Sequence, residues 1–374
     1  MRIETIRNKA LITGTVVTSI IYLIWRIFFT IPFGEGIIAL ISGMYLLIVE
    51  IVGMLEEVVH YNNMTNIEYP MIPKADFSEF PDVDIFIATY NEPVELLYKT
   101  INGCINMEYP DENKVHIYIC DDSNRIEMKK LAEEMNINYI TRTERKDAKA
   151  GNFNNALAKT DSPLVVTFDA DMIPMHDFLM STVPYFVEDL TNAKKIEKKD
   201  GKEARKNREG KIGFIQTPQS FYNPDLFQYN LFSETRIPNE QDYFYRDIQI
   251  SRNKSNSVIY GGTNTVISRE ALDEIGGFYT KVITEDFATG ILIQSNGYTC
   301  YAIDEVHASG LAPEDLKGLV KQRQRWARGC IQTGRKLNIL FRKGLNISQK
   351  LSYISAITYW YGCLKRLIYI MAPI

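Results

Sequence analysis

An apolar run ends in two aspartates one residue apart, Asp169 and Asp171 of VVTFDADM. Alternate residues of an extended chain share a face, so both carboxylates can reach one divalent cation and a diphosphate together. By itself the pair fits a turn or a helix cap as well. A second acidic pair, Glu285 and Asp286 of VITEDFATGILIQSNG, opens a helical pattern with Thr284 in front of it as a cap. Acidic residues in a first turn complement the helix dipole, and the same dipole would keep Asp286 ionised, as a general base requires. Lys149 and Gly151 of DAKAGNFNNAL stand where a helix begins. A helix N-terminus beside an ammonium suits a phosphate, and a glycine lets backbone come close. Asn91 and Glu92 of TYNEP read either as polar ligands or as a turn before proline. Gln322, Arg323, Arg325 and Trp326 lie in the cationic stretch EDLKGLVKQRQRWARGCIQTGRK. An indole offers a flat face to a sugar ring, while glutamine and arginine hold hydroxyls and phosphate oxygens. With Leu316, Leu319 and Val320 the same stretch also reads as an amphipathic helix at a membrane interface.

These residues need a frame, and the middle of the chain supplies one. Apolar, β-branched runs at 83–90, 115–120, 137–142, 164–168, 211–217 and 258–262 alternate with helical patterns at 93–106, 124–135, 149–159 and 286–295. That alternation predicts an α/β domain with a mostly parallel sheet. TYNE, DDS and DAD follow strands directly, and the carboxyl edge of an open α/β sheet is where ligands bind. No GxGxxG follows the first strand and no GxxxxGK[ST] occurs, which argues against dinucleotide-dependent dehydrogenases and P-loop nucleotidases.

Composition sets the surroundings. The chain has 374 residues, 45% of them hydrophobic, and a net charge of -4 spread along its length, so no nucleic acid is expected as partner. The cysteines are scattered and outside metal-ligand spacing, which fits a reduced, cytoplasmic domain. Residues 11–30 and 36–54 are almost continuously apolar, with one charge each. About 20 residues at about 1.5 Å rise cross the ~30 Å hydrocarbon core, so a lipid bilayer is expected around both. Arg2, Arg7 and Lys9 precede the first span and the turn at Ile31–Gly34 carries no cation, placing both flanks in the cytoplasm. A third apolar stretch runs from about 350 to 374 and reads as the start of a further membrane helix. Residues 191–211 are highly charged and read as a solvated loop, or as a contact with anionic lipid headgroups.

TYNEP (89–93), CDD (120–122), AKAGN (148–152), FDADM (168–172), QTPQ (216–219), YGGT (260–263), TED (284–286) and QRQRW (322–326) together resemble the processive family-two glycosyltransferases, above all the catalytic subunit of cellulose synthase. The likeness spans about residues 10–374, and QxxRW after TED is its most diagnostic part. It implies a GT-A fold at 80–310, two transmembrane helices at 1–60, an interface helix at 311–345, and a multi-pass protein of the plasma membrane with a cytoplasmic catalytic domain. It further implies inverting transfer from a UDP-sugar donor, here UDP-glucose, to a β-glycan acceptor. Thr89, Tyr90, Glu92 and Asp121 would cradle the uridine, Lys149 would meet the diphosphate, and Asp169 and Asp171 would hold Mg2+ or Mn2+ on it. Asp286, beside Glu285, would be the base, Trp326 the platform under the terminal sugar, and Gln322, Arg323 and Arg325 the lining of the acceptor and phosphate side.

CDDS stands where LDDG is usual, leaving the uridine contact open between Asp121 and Asp122, and YGGT stands where Phe-Cys-Gly is common. The family's later membrane helices, gating loop and PilZ domain do not occur in this sequence, so other membrane subunits are expected to complete any translocation channel. Hyaluronan- or chitin-type synthesis from UDP-N-acetylglucosamine, and a truncated or inactive membrane scaffold, are the competing expectations.

Overall fold

The computed structural model describes residues 2–64, 67, 69–197 and 210–371. Two units divide the chain: Met1–Ile67 with Ile347–Ile374, and Glu68–Asn346. The first begins with two long helices, α1 (Arg2–Phe29) and α2 (Ile37–Met64). Their segments Lys9–Phe29 and Ile37–Tyr61, of 21 and 25 residues, are long and apolar enough to cross a membrane. The single charges noted in the apolar runs meet each other: Arg26 Nε lies 3.1 Å from Glu50 Oε2. Tyr22 donates to the other Glu50 oxygen at 3.2 Å, and Arg26 to Thr30 Oγ1 at 2.8 Å. A lone charge between apolar helices is costly, and this pairing fixes how the hairpin closes.

The second unit runs β1 (Val83–Thr89), α3 (Val94–Ile105), β2 (Val115–Asp121), α4 (Ile126–Glu134), β3 (Asn138–Thr141), α5 (Ala148–Leu157) and β4 (Leu164–Asp169). It continues through β5 (Ile173–Pro174), α6 (Phe178–Thr182), α7 (Pro184–Glu197), β6 (Ile212–Gln216), β7 (Ser220–Phe221) and α8 (Leu226–Asn230). A π-helical turn at Tyr243–Ile248 leads into α9 (Gln249–Ser251). Then come β8 (Thr265–Ser268), α10 (Arg269–Ile275), α11 (Glu285–Ser295), β9 (Thr299–Ala302), β10 (Ala308–Gly310) and α12 (Leu316–Leu337).

The main sheet has the order β3-β2-β1-β4-β8-β6-β9. β3, β2, β1 and β4 are parallel, and β6 pairs parallel with β9, but β8 is antiparallel to both its neighbours, so the sheet is mixed. β5, β10 and β7 form a small second sheet. Ile85, Ile87, Ile119, Leu164, Val166 and Phe168 are wholly buried in one core. Each such side chain contributes about 1.5–3 kcal/mol relative to exposure, which is why these runs commit to the sheet.

Register decides what the sheet presents. Thr89 pairs with Asp121, Asp121 with Thr141, and Ala88 with Asp169, so the polar residues that end β1, β2 and β4 lie level on one edge. The strand expected at 258–262 does not form; the strand lies later, at β8. Gly262 has φ +81, and a Cβ on it would sit 2.7 Å from Asp286 Oδ2. The segment is thus a loop wrapped on the start of α11, whatever the β-propensity of Val258, Ile259 and Tyr260.

In the charged stretch 191–211, helix α7 continues to Glu197, and residues 198–209 lie outside the described residues. The C-terminal apolar stretch forms α13 (Ile347–Thr358) and α14 (Gly362–Met371) on either side of a 3-10 turn at Tyr359–Tyr361, with 372–374 outside the described residues.

Candidate active site

The turn after β1 is tied to itself. Glu92 Oε2 accepts from Thr89 Oγ1 at 2.8 Å and from the backbone of Tyr90 and Asn91 at 2.6 and 3.1 Å. Arg125 braces it from the turn between β2 and α4, donating to Thr89 Oγ1 at 2.6 Å and to the Glu92 carbonyl at 2.7 Å. Asp121 is fully buried, and its two oxygens accept from the backbone of Ser123 and Arg125, from Arg125 Nε and from Tyr139 OH. A carboxylate has about four lone-pair sites, so Asp121 is already saturated. Among the four residues expected to cradle a base, Thr89, Glu92 and Asp121 therefore build the wall, and Tyr90 presents an open ring, 47% exposed, with the Arg145 guanidinium 5.1 Å above it. Asp122 is engaged as well: Arg142 holds it through Nε at 2.5 Å and Nη2 at 3.0 Å. The same guanidinium donates to the carbonyls of Lys146 and Ala148 at 2.5 and 2.9 Å, folding the 143–148 loop around itself just before Lys149. Asp147 and Ala148 take left-handed φ values of 64 and 44, a conformation that such bonds must hold in place.

Lys149 projects to the end of β4. Its Nζ is 2.5 Å from Asp169 Oδ1 and 2.8 Å from the Gly262 carbonyl. Thr263 Oγ1 accepts from the Asp169 backbone at 2.9 Å, and Gly262 presses on Asp286. One loop thereby gathers Lys149, Asp169 and Asp286. Gln216 holds that loop with bonds to the Thr263 carbonyl and the Gly261 amide at 2.9 and 2.7 Å, which gives the glutamine of QTPQ its purpose.

The charges here are not at rest. Burial, then the Asp169 charge, push the Asp171 carboxyl up to about 6. Two carboxylates that repel in a desolvated site suit a divalent cation, for which hard oxygen donors are the natural ligands. Burial opposes the Lys149 charge, but Asp169, Glu285 and Asp286 hold its ammonium above the ordinary lysine value. Burial and Asp286 push Glu285 up to about 7. Asp286 is also raised by burial, against the Phe287 amide at 2.7 Å and the charges of Lys149 and Arg325. Desolvation, not the helix dipole, thus dominates at Asp286, contrary to the expectation from sequence. Thr284 occupies the position before α11, but its side chain makes no capping bond; its hydroxyl pairs with Thr333 at 3.2 Å.

Helix α12 brings up the other side. Arg325 acts on both Glu285 and Asp286, lowering each. Gln322 Oε1 is buried without a hydrogen-bond partner, a group ready for a ligand hydroxyl. Arg323, expected to line the acceptor and phosphate side, is ion-paired with Glu240 and lies 4.5 Å over the Trp326 ring, backing one face of it. Arg125, Arg142 and Glu240 were not singled out from sequence. The basic residues stand beside the recognised motifs, but bonds to carbonyl oxygens leave no trace in a residue pattern.

The description "Glycosyltransferase like family 2" matches residues 81–329. Cellulose synthase 1 of Komagataeibacter xylinus is 34% identical over 360 residues, which cover 95% of this chain and 22% of that protein. The UDP-forming cellulose synthase catalytic subunit of Pseudomonas fluorescens (strain SBW25) is 33% identical over 373 residues, 98% of this chain and 47% of that one. The chain thus spans less than half the length of these curated relatives. Among solved structures, a mannosyltransferase from Pyrobaculum calidifontis in complex with GDP-Man and Mn2+ is similar with a TM-score of 0.65 at 19% identity, covering 88% of this chain and 85% of that one. That likeness establishes the fold, GT-A, with a mixed sheet. With more than half of its length inside the family match, the chain belongs to glycosyltransferase family 2.

Proposed function

We propose that the chain is a membrane-anchored, inverting, processive glycosyltransferase that transfers glucose from UDP-glucose to a growing β-glucan. One observation carries this reading: Lys149, Asp169 and Asp286 meet around Gly262 at the carboxyl edge of the sheet. A diphosphate ligand, a cation ligand and a base are thereby within one substrate's reach. The naming of the relatives as UDP-forming cellulose synthase subunits supports the donor and product. The two membrane-length helices support a plasma-membrane location, with the catalytic domain cytoplasmic.

In this reading the acceptor hydroxyl gives its proton to the Asp286 carboxylate as its oxygen bonds to the anomeric carbon. The bond from that carbon to the β-phosphate oxygen breaks, and UDP leaves with the electron pair. Attack from the face opposite the leaving group inverts an α-linked donor to a β-linked product. Lys149 faces the charge that grows on the diphosphate, a role that fixed cations serve best in a desolvated site. Mg2+ or Mn2+, held by Asp169 and Asp171, would neutralise the same charge without a proton transfer. Tyr90 receives the uracil ring, with Thr89, Glu92 and Asp121 as its support. Trp326 underlies the terminal sugar, and Gln322 and Arg325 hold its polar groups. Arg323 fixes the tilt of Trp326.

UDP release by the detergent-solubilised chain tests the proposal, with Mg2+ or Mn2+ and a panel of UDP-sugars. Release with UDP-glucose that is abolished in Asp286→Asn and Asp171→Asn is expected. Preference for UDP-N-acetylglucosamine would replace glucan synthesis by the hyaluronan or chitin type, and no release with any donor would leave a scaffold.

A further inference from the structure

The start of α11 and helix α12 touch through very small groups. A Cβ added to Gly329 would lie 2.3 Å from Thr284 Cγ2 and 2.8 Å from both the backbone nitrogen and the Oγ1 of that threonine. Two bonds flank the contact: the Ile283 amide donates to Gln332 Oε1 at 3.0 Å, and the hydroxyls of Thr284 and Thr333 meet at 3.2 Å. Thr284 stands where a helix cap belongs and gives its hydroxyl to α12 instead. Glycine is a poor residue for the interior of a long helix, so Gly329 sits in α12 against local preference.

Trp326, Gly329 and Thr333 are spaced three and four residues apart, which lines them up on one face of α12. The face that meets the TED turn is therefore the face that carries the indole. We infer that Gly329 is a positioning residue: by letting α12 rest on the backbone of Thr284, it sets the separation between Trp326 and Asp286. This rests on the reading of Asp286 as base and Trp326 as sugar platform. A side chain at position 329 must push the helix off the turn. Misplacement by about 1 Å is enough to lower a rate about 100-fold when reacting groups must align.

The experiment compares the full chain with Gly329→Ala, Thr333→Val and Thr333→Ser, reading UDP release, donor KM and UDP affinity by titration. Gly329→Ala is expected to lower kcat about tenfold or more with donor KM and UDP affinity changed less than about twofold. Thr333→Val is expected to lower kcat a few-fold, and Thr333→Ser, which keeps the hydroxyl, to restore it. A Gly329→Ala rate within about twofold of the parent, or a rate and a UDP affinity that fall together, would overturn the inference. Should Gly329→Ala not fold, equal rates for the two Thr333 variants would overturn it. Asp286→Asn in the same assay keeps the outcomes apart: activity without that carboxylate overturns the reading of the base, while the rates of the Gly329 and Thr333 variants relative to the parent still decide the contact.

Discussion

The two sides of the site are built differently. On the proposed donor side, Thr89, Glu92, Asp121 and Asp122 are all engaged with Arg125, Arg142 or nearby backbone amides before any ligand is considered. On the proposed acceptor side, Gln322 Oε1 has no hydrogen-bond partner, and α12 meets α11 through a glycine and a pair of threonines. The first side is preorganised by hydrogen bonds that fix one geometry. The second is aligned by helix packing, with its polar groups left for the ligand. The asymmetry is what the proposed function asks for, a donor pocket that stays the same while the acceptor grows.

The sharpest way to break the comparison is at the point where the sides meet. Asp286→Asn should lower transfer about 10²–10⁴-fold while UDP affinity by calorimetry stays near the parent value, since only the base is lost. Arg142→Met attacks the donor wall, removing one partner of a nearly buried ion pair whose side chains are 9% and 12% exposed. Breaking such a pair costs about 3–5 kcal/mol, and a thermal melt should fall accordingly, with UDP affinity falling too because the Lys149 loop loosens. Trp326→Ala attacks the acceptor wall and should do the reverse: about a tenfold loss in use of a glucan primer, with UDP affinity and melting temperature little changed.

The mildest test is pH. Glu285 is pushed from its ordinary value of 4.5 up to about 7 in the folded chain, so the folded state holds a proton that the unfolded chain has released. Stability contributed by that proton is complete below about 4.5 and is lost as pH rises to about 7, flat above it. Calorimetric melts across that window should show the decline, and Glu285→Gln should remove most of it. Transfer should run the opposite way, rising as the Glu285–Asp286 pair gives up its proton, because the base works deprotonated.

The donor edge was legible because each strand is an apolar run that stops at a polar residue, and parallel register then sets those stops level. Four of the expected strands, those at 83–90, 115–120, 137–142 and 164–168, are realised as β1 to β4 within a residue or two. The segment 258–262 misled for a tertiary reason: its residues favour a strand, but Gly262 must lie against Asp286, and that contact outweighs propensity. The surroundings of Asp121 were hidden in another way. Its position at a strand end reads as a ligand, whereas its burial and its four donors depend on how Arg125 and Tyr139 fold back, which spacing does not encode. The cationic helix was legible from its pattern, but the partnership of Arg323 with Glu240, across more than eighty residues of chain, was not.

The bond between Lys149 and Asp169 has a kinetic consequence. A tethered ammonium already balances the carboxylate, so under the proposed function a cation held by Asp169 would have to displace a resident charge and would not be drawn in by a bare one. Binding is then an ion exchange, weaker than two uncompensated carboxylates would give and correspondingly easier to reverse. In the same reading, the lysine would return to its carboxylate as the diphosphate departs. If the chain is the processive transferase proposed, that arrangement would help in the step where many transferases are slow, the clearing of the spent nucleotide.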